Sequence, residues 1–167
     1  LAGLLDVPSG HIRSVSFERK YPVCDDWRAR GFTEPPHLGL AIDYEDGARV
    51  GVECKLYEPY GRLDHAPLKA PYLALPDAWA DIPACRSIAE RLSEEDGGFL
   101  RVGAAQLLRH ILGLKFGCPP GKARLLYLYF DAPGDEAAEH RSEIHRFQNA
   151  MASDPFRFVP ITVQEFI

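Results

Sequence analysis

The chain has 167 residues, 19 Lys plus Arg against 24 Asp plus Glu, and a net charge of −5, a length that suits one domain (1–167) with its own hydrophobic core. Hydrophobic residues at 46% and charged residues at 26% are ordinary for a globular protein, and no apolar run approaches the ~18 residues of a membrane span. The acidic balance speaks against a nucleic-acid binder unless a basic patch is local. Leu1 to Pro8 is too short for a signal sequence, so a cytoplasmic setting and no membrane partner are expected. Cys24, Cys54, Cys85 and Cys118 stand 30 or more residues apart with no C-x-x-C pair. That removes a structural zinc site and leaves them as small apolar residues of a reducing compartment.

In chain order, His11 to Tyr21 carries Ile12, Val15 and Phe17 among polar residues, which predicts a strand ended by Pro22. Cys24 to Pro36 is a polar loop. Leu38 to Tyr44 and Val50 to Leu56 flank Glu45-Asp46-Gly47-Ala48-Arg49, an Asp-Gly hairpin signal. Tyr57 to Asp81 is rich in proline and glycine and reads mostly as loop, followed by short helical pieces around Asp77 to Ala80 and Ala84 to Ser93. Asp96-Gly97-Gly98 breaks the chain. Val102 to Leu114 has an apolar face of Leu107, Leu108, Ile111 and Leu112 and predicts a helix ended by Gly113 or Gly117. Arg124 to Phe130 suits a central strand. Pro133-Gly134-Asp135 turns into a helix through about Met151, and Arg157 to Thr162 is a last strand. The order β-ββ-α-α-β-α-β predicts an α/β domain with a mixed central sheet flanked by helices.

Within Val52-Glu53-Cys54-Lys55 the strand period of two sends Glu53 and Lys55 to one face and Val52, Cys54 and Leu56 to the other. A carboxylate there can hold Mg²⁺, and an ammonium beside it can orient a water against a phosphate. An ordinary surface Glu-Lys pair has the same spacing. Gln106 and His110, four residues apart, share a helix face. No H-E-x-x-H, G-x-S-x-G or P-loop pattern is present, so zinc-protease, hydrolase-triad and nucleotide-binding readings find no support.

The hydrophobic strand, Asp-Gly hairpin and V-G-V-E-C-K-L-Y-E run resembles the central hairpin of PD-(D/E)xK, restriction-endonuclease-like nucleases. Gln106-Leu107-Leu108-Arg109-His110 resembles the Gln-containing helix motif of their RecB-like branch. Bacterial uncharacterised members share the pattern P-P-x-L-D, E-x-K-x-x-E, A-A-Q-L-L-x-H-x-L-G-L and L-L-Y-L. It is matched here at Pro35 to Gly39, Glu53 to Glu58, Ala104 to Leu114 and Leu125 to Leu128. The resemblance covers Ile12 to the C-terminus. It implies a DNA endonuclease dependent on Mg²⁺ or Mn²⁺, with Glu53 as metal ligand, Lys55 orienting water and Gln106 in support.

One position departs from that pattern: Gly39 stands where the family carries an aspartate ligand. With a three-residue hairpin loop, paired positions sum to 92, which sets Gly39 opposite Glu53, His37 opposite Lys55 and Asp43 opposite Arg49; a two-residue turn would set Leu40 opposite Glu53 instead. Asp43 then lies ~13 Å along the strand from position 39, too far to share an ion with Glu53. His37, Glu18 and Glu58 remain as candidate second ligands. A His37–Glu53 site would suit Mn²⁺ or Zn²⁺ better than Mg²⁺. Arg101, Arg109, Lys115, Lys122 and Arg124 form a basic stretch without an acid, the expected contact to DNA. Two readings follow: a metal-dependent endonuclease, or a nuclease-fold module that binds nucleic acid or a protein without cutting.

Overall fold

Tyr44 N–H donates to Ala48 O at 2.9 Å and Gly47 N–H to Tyr44 O at 3.1 Å, closing the hairpin of the computed structural model, which describes residues 10–61, 67–94 and 98–167. Gly47 sits at φ 83°, the left-handed value that the third residue of such a loop needs and that glycine adopts without a Cβ clash. The hairpin joins β2 (His37–Tyr44) to β3 (Arg49–Lys55). Asp43 pairs with Arg49, Ile42 with Val50, Ala41 with Gly51 and Leu40 with Val52, the register a three-residue loop dictates.

With β1 (Ile12–Lys20), β4 (Ala123–Tyr129) and β5 (Arg157–Thr162), these strands form a five-stranded mixed sheet in the order β1-β2-β3-β4-β5. The first two pairings are antiparallel, and β3-β4 and β4-β5 are parallel. β3 is therefore the middle strand. The helices are α1 (Ala70–Leu73), α2 (Pro76–Trp79), α3 (Pro83–Glu94), α4 (Ala104–Lys115), α5 (Asp135–Ala150) and α6 (Val163–Phe166). The short helix expected around Asp77 to Ala80 is α2, and the stretch before it, expected to be mostly loop, also holds α1 and a 3-10 turn at Glu58–Tyr60; each has a proline at its first or second position, where no intrahelical N–H is needed. Of the expected break at Asp96-Gly97-Gly98, Asp96 and Gly97 lie outside the described residues. No helix of the described residues is long and apolar enough to cross a membrane.

The main apolar core lies between α1–α5 and one sheet face, joining Leu107, Leu108, Ile111 and Leu112 of α4 to Leu125 and Tyr127 of β4. Gly113 does not end α4. It is buried inside the helix, where an added Cβ would meet Tyr21 Cβ at 2.9 Å, and the helix runs on to Lys115. Buried carboxylates complete the backbone of this layer. Asp154 accepts from Ala84 N–H and Cys85 N–H at 3.0 and 2.8 Å in the first turn of α3. Glu143 accepts from the N–H groups of Leu100, Arg101 and Val102 at 2.8, 2.7 and 2.9 Å, fixing the chain that enters α4.

The register puts Gly51, Glu53 and Lys55 on the helix-covered face, beside Leu125, Tyr127 and Tyr129. The charged face of β3 is thus the enclosed one. The expected apolar back is more open: Val52 is half-buried, while Cys54 and Leu56 are exposed. On that second face Phe17 and Val15 pair with Leu40 and Ile42 and are 77% and 52% exposed.

Candidate functional site

Glu53 is only 6% exposed. A carboxylate held in such a place needs partners, since an unpaired buried charge is costly. Its partners come from its own strand and from α4. Lys55, two residues on, sets Nζ 2.9 Å from Glu53 Oε1. Gln106 in the first turn of α4 donates its Nε2–H to the same oxygen at 2.9 Å. His110, one helical turn later, brings Nε2 to 3.2 Å from Oε2, at ion-pair distance but off hydrogen-bond alignment. Burial pushes the Glu53 carboxyl up. His110 and Lys55 outweigh that and leave it below the usual carboxylate range. The His110 ring is 3% exposed, and its Nδ1 has no hydrogen-bond partner among the described residues.

Behind this cluster, Tyr127 pairs with Glu53 along the sheet and shares a 2.8 Å hydrogen bond with Nε2 of buried His140. Tyr60 donates its hydroxyl proton to Phe130 O and lies 3.4 Å from His140 Nδ1. The tautomer consistent with this carries the proton on Nδ1 and accepts from Tyr127 at Nε2. Burial, with Arg101 and Arg141 nearby, holds the imidazole neutral and pushes its pKa down to about 4.

A cleft of about 360 Å³ opens beside Gln106, its wall including His37, Lys69, Tyr72, Arg109 and His110. Glu34, the acid on that wall, is taken up by Lys20 at 2.6 Å and His37 Nε2 at 3.1 Å. The cleft is therefore cationic in balance, through Lys69 and Arg109.

The candidate second ligands lie elsewhere. His37 faces Glu34 and makes no ion pair or hydrogen bond with Glu53. Glu58 Oε2 accepts from Leu56 N–H and Tyr57 N–H at 3.1 Å each, so it caps the end of β3. Glu18 is exposed on edge strand β1 at φ 48°. Asp43 is bound to Arg49 at 3.0 Å and Ser14 at 3.4 Å, and that Arg49 in turn satisfies Leu114 O and Phe116 O at the end of α4. Among the described residues no group of three or more His, Cys, Asp or Glu side chains could hold a metal ion. At Gly39 an added Cβ would have Val52 O, at 3.9 Å, as its nearest neighbour, so there is room for a side chain.

The basic stretch does not form one surface. Arg109 lines the cleft, its Nε–H donating to Ala105 O at 3.3 Å. Arg101 is paired with Glu139 at 2.5 Å and donates to Pro59 O at 2.9 Å. Lys115 is bound to Asp81 and to Ala78 O. Lys122 is bound to Asp46 at 3.0 Å. Arg124 alternates with the core-facing Leu125, so it belongs to the other sheet face. Glu53, Lys55 and Gln106 do come together. The members that sequence patterns leave unassigned are His110, recognisable only by its i, i+4 relation to Gln106, and Lys69, which sits in a proline-rich stretch without periodicity.

The described residues thus define an α/β domain whose central strand presents a nitrogen-caged carboxylate next to a cationic cleft. Compared with known proteins, the chain matches no family model, no curated protein and no solved structure.

Proposed function

We propose that this chain is a nuclease-fold domain of the PD-(D/E)xK lineage that holds the phosphate backbone of DNA in the cleft beside Glu53, without a resident Mg²⁺. The observation that carries the reading is the meeting of Glu53, Lys55 and Gln106 within 2.9 Å on the middle strand and α4. This is the set that the resemblance brings together.

Mg²⁺ takes a near-octahedral shell of oxygens. Here one carboxylate faces three nitrogen groups, and position 39 offers no side chain. The residues do not fit that ion. Lys55 already neutralises Glu53, so an added dication would leave excess positive charge in an enclosed place. With Lys69 and Arg109 on the adjoining wall, the arrangement favours an anion instead.

A second reading, a metal-dependent endonuclease, is favoured by one distance. Two ligands bound ~2.1 Å from one ion stand about 3.0–3.4 Å apart, and Glu53 Oε2 and His110 Nε2 are separated by 3.2 Å.

Fluorescence anisotropy with a labelled duplex in EDTA tests the proposal. Binding should fall with salt, and Lys69→Glu with Arg109→Glu should flatten the slope of log K against log salt by about two units, near 0.9 per phosphate contact. An unchanged slope, or no binding at low salt, overturns it. Plasmid nicking in Mg²⁺ or Mn²⁺ that disappears in Glu53→Gln establishes the endonuclease reading in its place.

A further inference from the structure

A second cavity, of about 430 Å³, lies at the other end of α4 and plays no part in the Glu53 centre. The two share that helix: Gln106, Arg109 and His110 face the cleft, while Leu112 and Lys115 line the cavity. Its floor is apolar and buried, built from Val23, Leu75, Ile82, Leu112 and Phe156. Its volume falls within the ~300–1,000 Å³ of small-molecule sites, which combine an apolar lining with a few placed charges.

The charges on the rim are unbalanced. Asp25, Asp26, Asp77 and Asp81 line the cavity against Arg30 and Lys115. Arg30 is committed to Asp26 at 2.7 Å, and Lys115 is bound to Asp81 and Ala78 O. The carboxylates of Asp25 and Asp77 are exposed and form no ion pair or side-chain hydrogen bond among the described residues, although the field of Asp77 reaches Arg30. Cys24 and Cys118 also line the space, and burial raises both thiols, so they stay neutral and the rim charge is that of its carboxylates and cations. Any anionic ligand would meet repulsion here, and the cationic cleft at the other end of the helix is its opposite in sign.

We infer that this cavity binds a small organic cation, with an aromatic or branched apolar body on the Leu75–Ile82–Phe156 floor and an ammonium or amidinium head at the Asp25–Asp77 rim. Neither Mg²⁺ nor DNA takes part, so the inference stands apart from the function proposed for the cleft.

Three probes of one shape and different charge test it on the full chain: 3-phenylpropylammonium, 3-phenylpropanol and 3-phenylpropionate, each titrated by ¹H–¹⁵N NMR. The ammonium should bind at least tenfold more tightly than the alcohol, the carboxylate least, with shifts at the amides of Leu112, Lys115 and Phe156. Asp25→Asn with Asp77→Asn, both at exposed positions, should leave the melting temperature unchanged and bring the ammonium to the level of the alcohol. Equal affinity for all three probes, binding by none, shifts confined to other residues, or a charge preference that survives the double variant would each overturn the inference.

Discussion

Nε2 of His110 stands 3.2 Å from Oε2 of Glu53, and both side chains are almost wholly enclosed. The carboxylate is therefore held from two sides, with Lys55 of its own strand and Gln106 of α4 at Oε1 and His110 of α4 facing Oε2. This arrangement ties the hairpin to α4, so a titration of the site is also a titration of the fold.

Acid should expose that link. The folded carboxyl lies below the ordinary value, because His110 and Lys55 outweigh burial. Its contribution to stability is present above the unfolded value of about 4.3 and is lost as pH falls through the folded one. Urea unfolding followed from pH 6 to pH 3 should show wild type well above Glu53→Gln at the upper end, with the two curves converging at the lower. A constant gap would mean that the variant acts through packing alone.

His140 works in the opposite sense. Its neutral ring is favoured in the fold, with a pKa pushed down to about 4, whereas an unfolded histidine takes a proton near 6.5. The unfolded chain binds more protons between those values, so stability falls as pH drops from about 6.5 to 4, by up to about 3 kcal/mol. His140→Gln, which keeps a donor and an acceptor near Tyr127 and Tyr60, should remove most of this slope. If the wild-type loss over that window persists unchanged in the variant, other groups carry it.

The hairpin was legible from Asp46-Gly47, but that dipeptide suits a two-residue turn as well as a three-residue loop, and only the three-residue loop found here fixes the pairs down to Leu40–Val52. The same-side placement of Glu53 and Lys55 follows from the strand period. Which side faces inward was not legible: Val52, Cys54 and Leu56 look like core residues, yet the α4-covered side is the one with Glu53 on it. Tertiary packing decides that choice, and the cost is met by nitrogen partners distant in sequence. Asp154 and Glu143 were invisible for the same reason, since a carboxylate that caps backbone N–H groups 41 to 70 residues away reads as an ordinary surface acid. The dispersal of the basic stretch has a third cause. Arg101, Lys115 and Lys122 each meet an acid from another element, which their own local sequence does not reveal.

Glu143 offers a direct test of this hidden capping. Removing its carboxylate strands three backbone N–H groups at Leu100, Arg101 and Val102. Glu143→Ala should destabilise the chain by at least about 3 kcal/mol, since hydrogen bonds to a charged group contribute ~1.5–3 kcal/mol each and buried donors suffer when left alone. Glu143→Gln, which retains one acceptor oxygen, should cost about half as much. Chemical denaturation of the two variants would show the order, and equal, small effects would mean that the 100–102 backbone finds water instead.

The last prediction concerns position 39. The register ends at Leu40–Val52; one pair further it would set position 39 opposite Glu53, where cross-strand Cβ atoms stand ~4.5–5.5 Å apart. A side chain there meets nothing closer than Val52 O at 3.9 Å, so Gly39→Asp should fold. Two carboxylates at that separation repel unless a cation lies between them. The variant should therefore lose stability in EDTA and regain it with Mg²⁺ or Mn²⁺, by an amount that grows with the logarithm of metal concentration, as a ligand bound only to the folded state requires. The parent, with one carboxylate already held by Lys55, should show almost no such dependence. Glu53→Gln in the Gly39→Asp background should abolish the metal response. Plasmid nicking gained by Gly39→Asp and absent from the parent would place the loss of cutting at this single residue. A metal response equal in parent and variant would show that the ion binds without position 39, at Glu53 and His110 or elsewhere. Thermal melts of the three proteins with and without each metal, run beside the nicking assay, separate these outcomes.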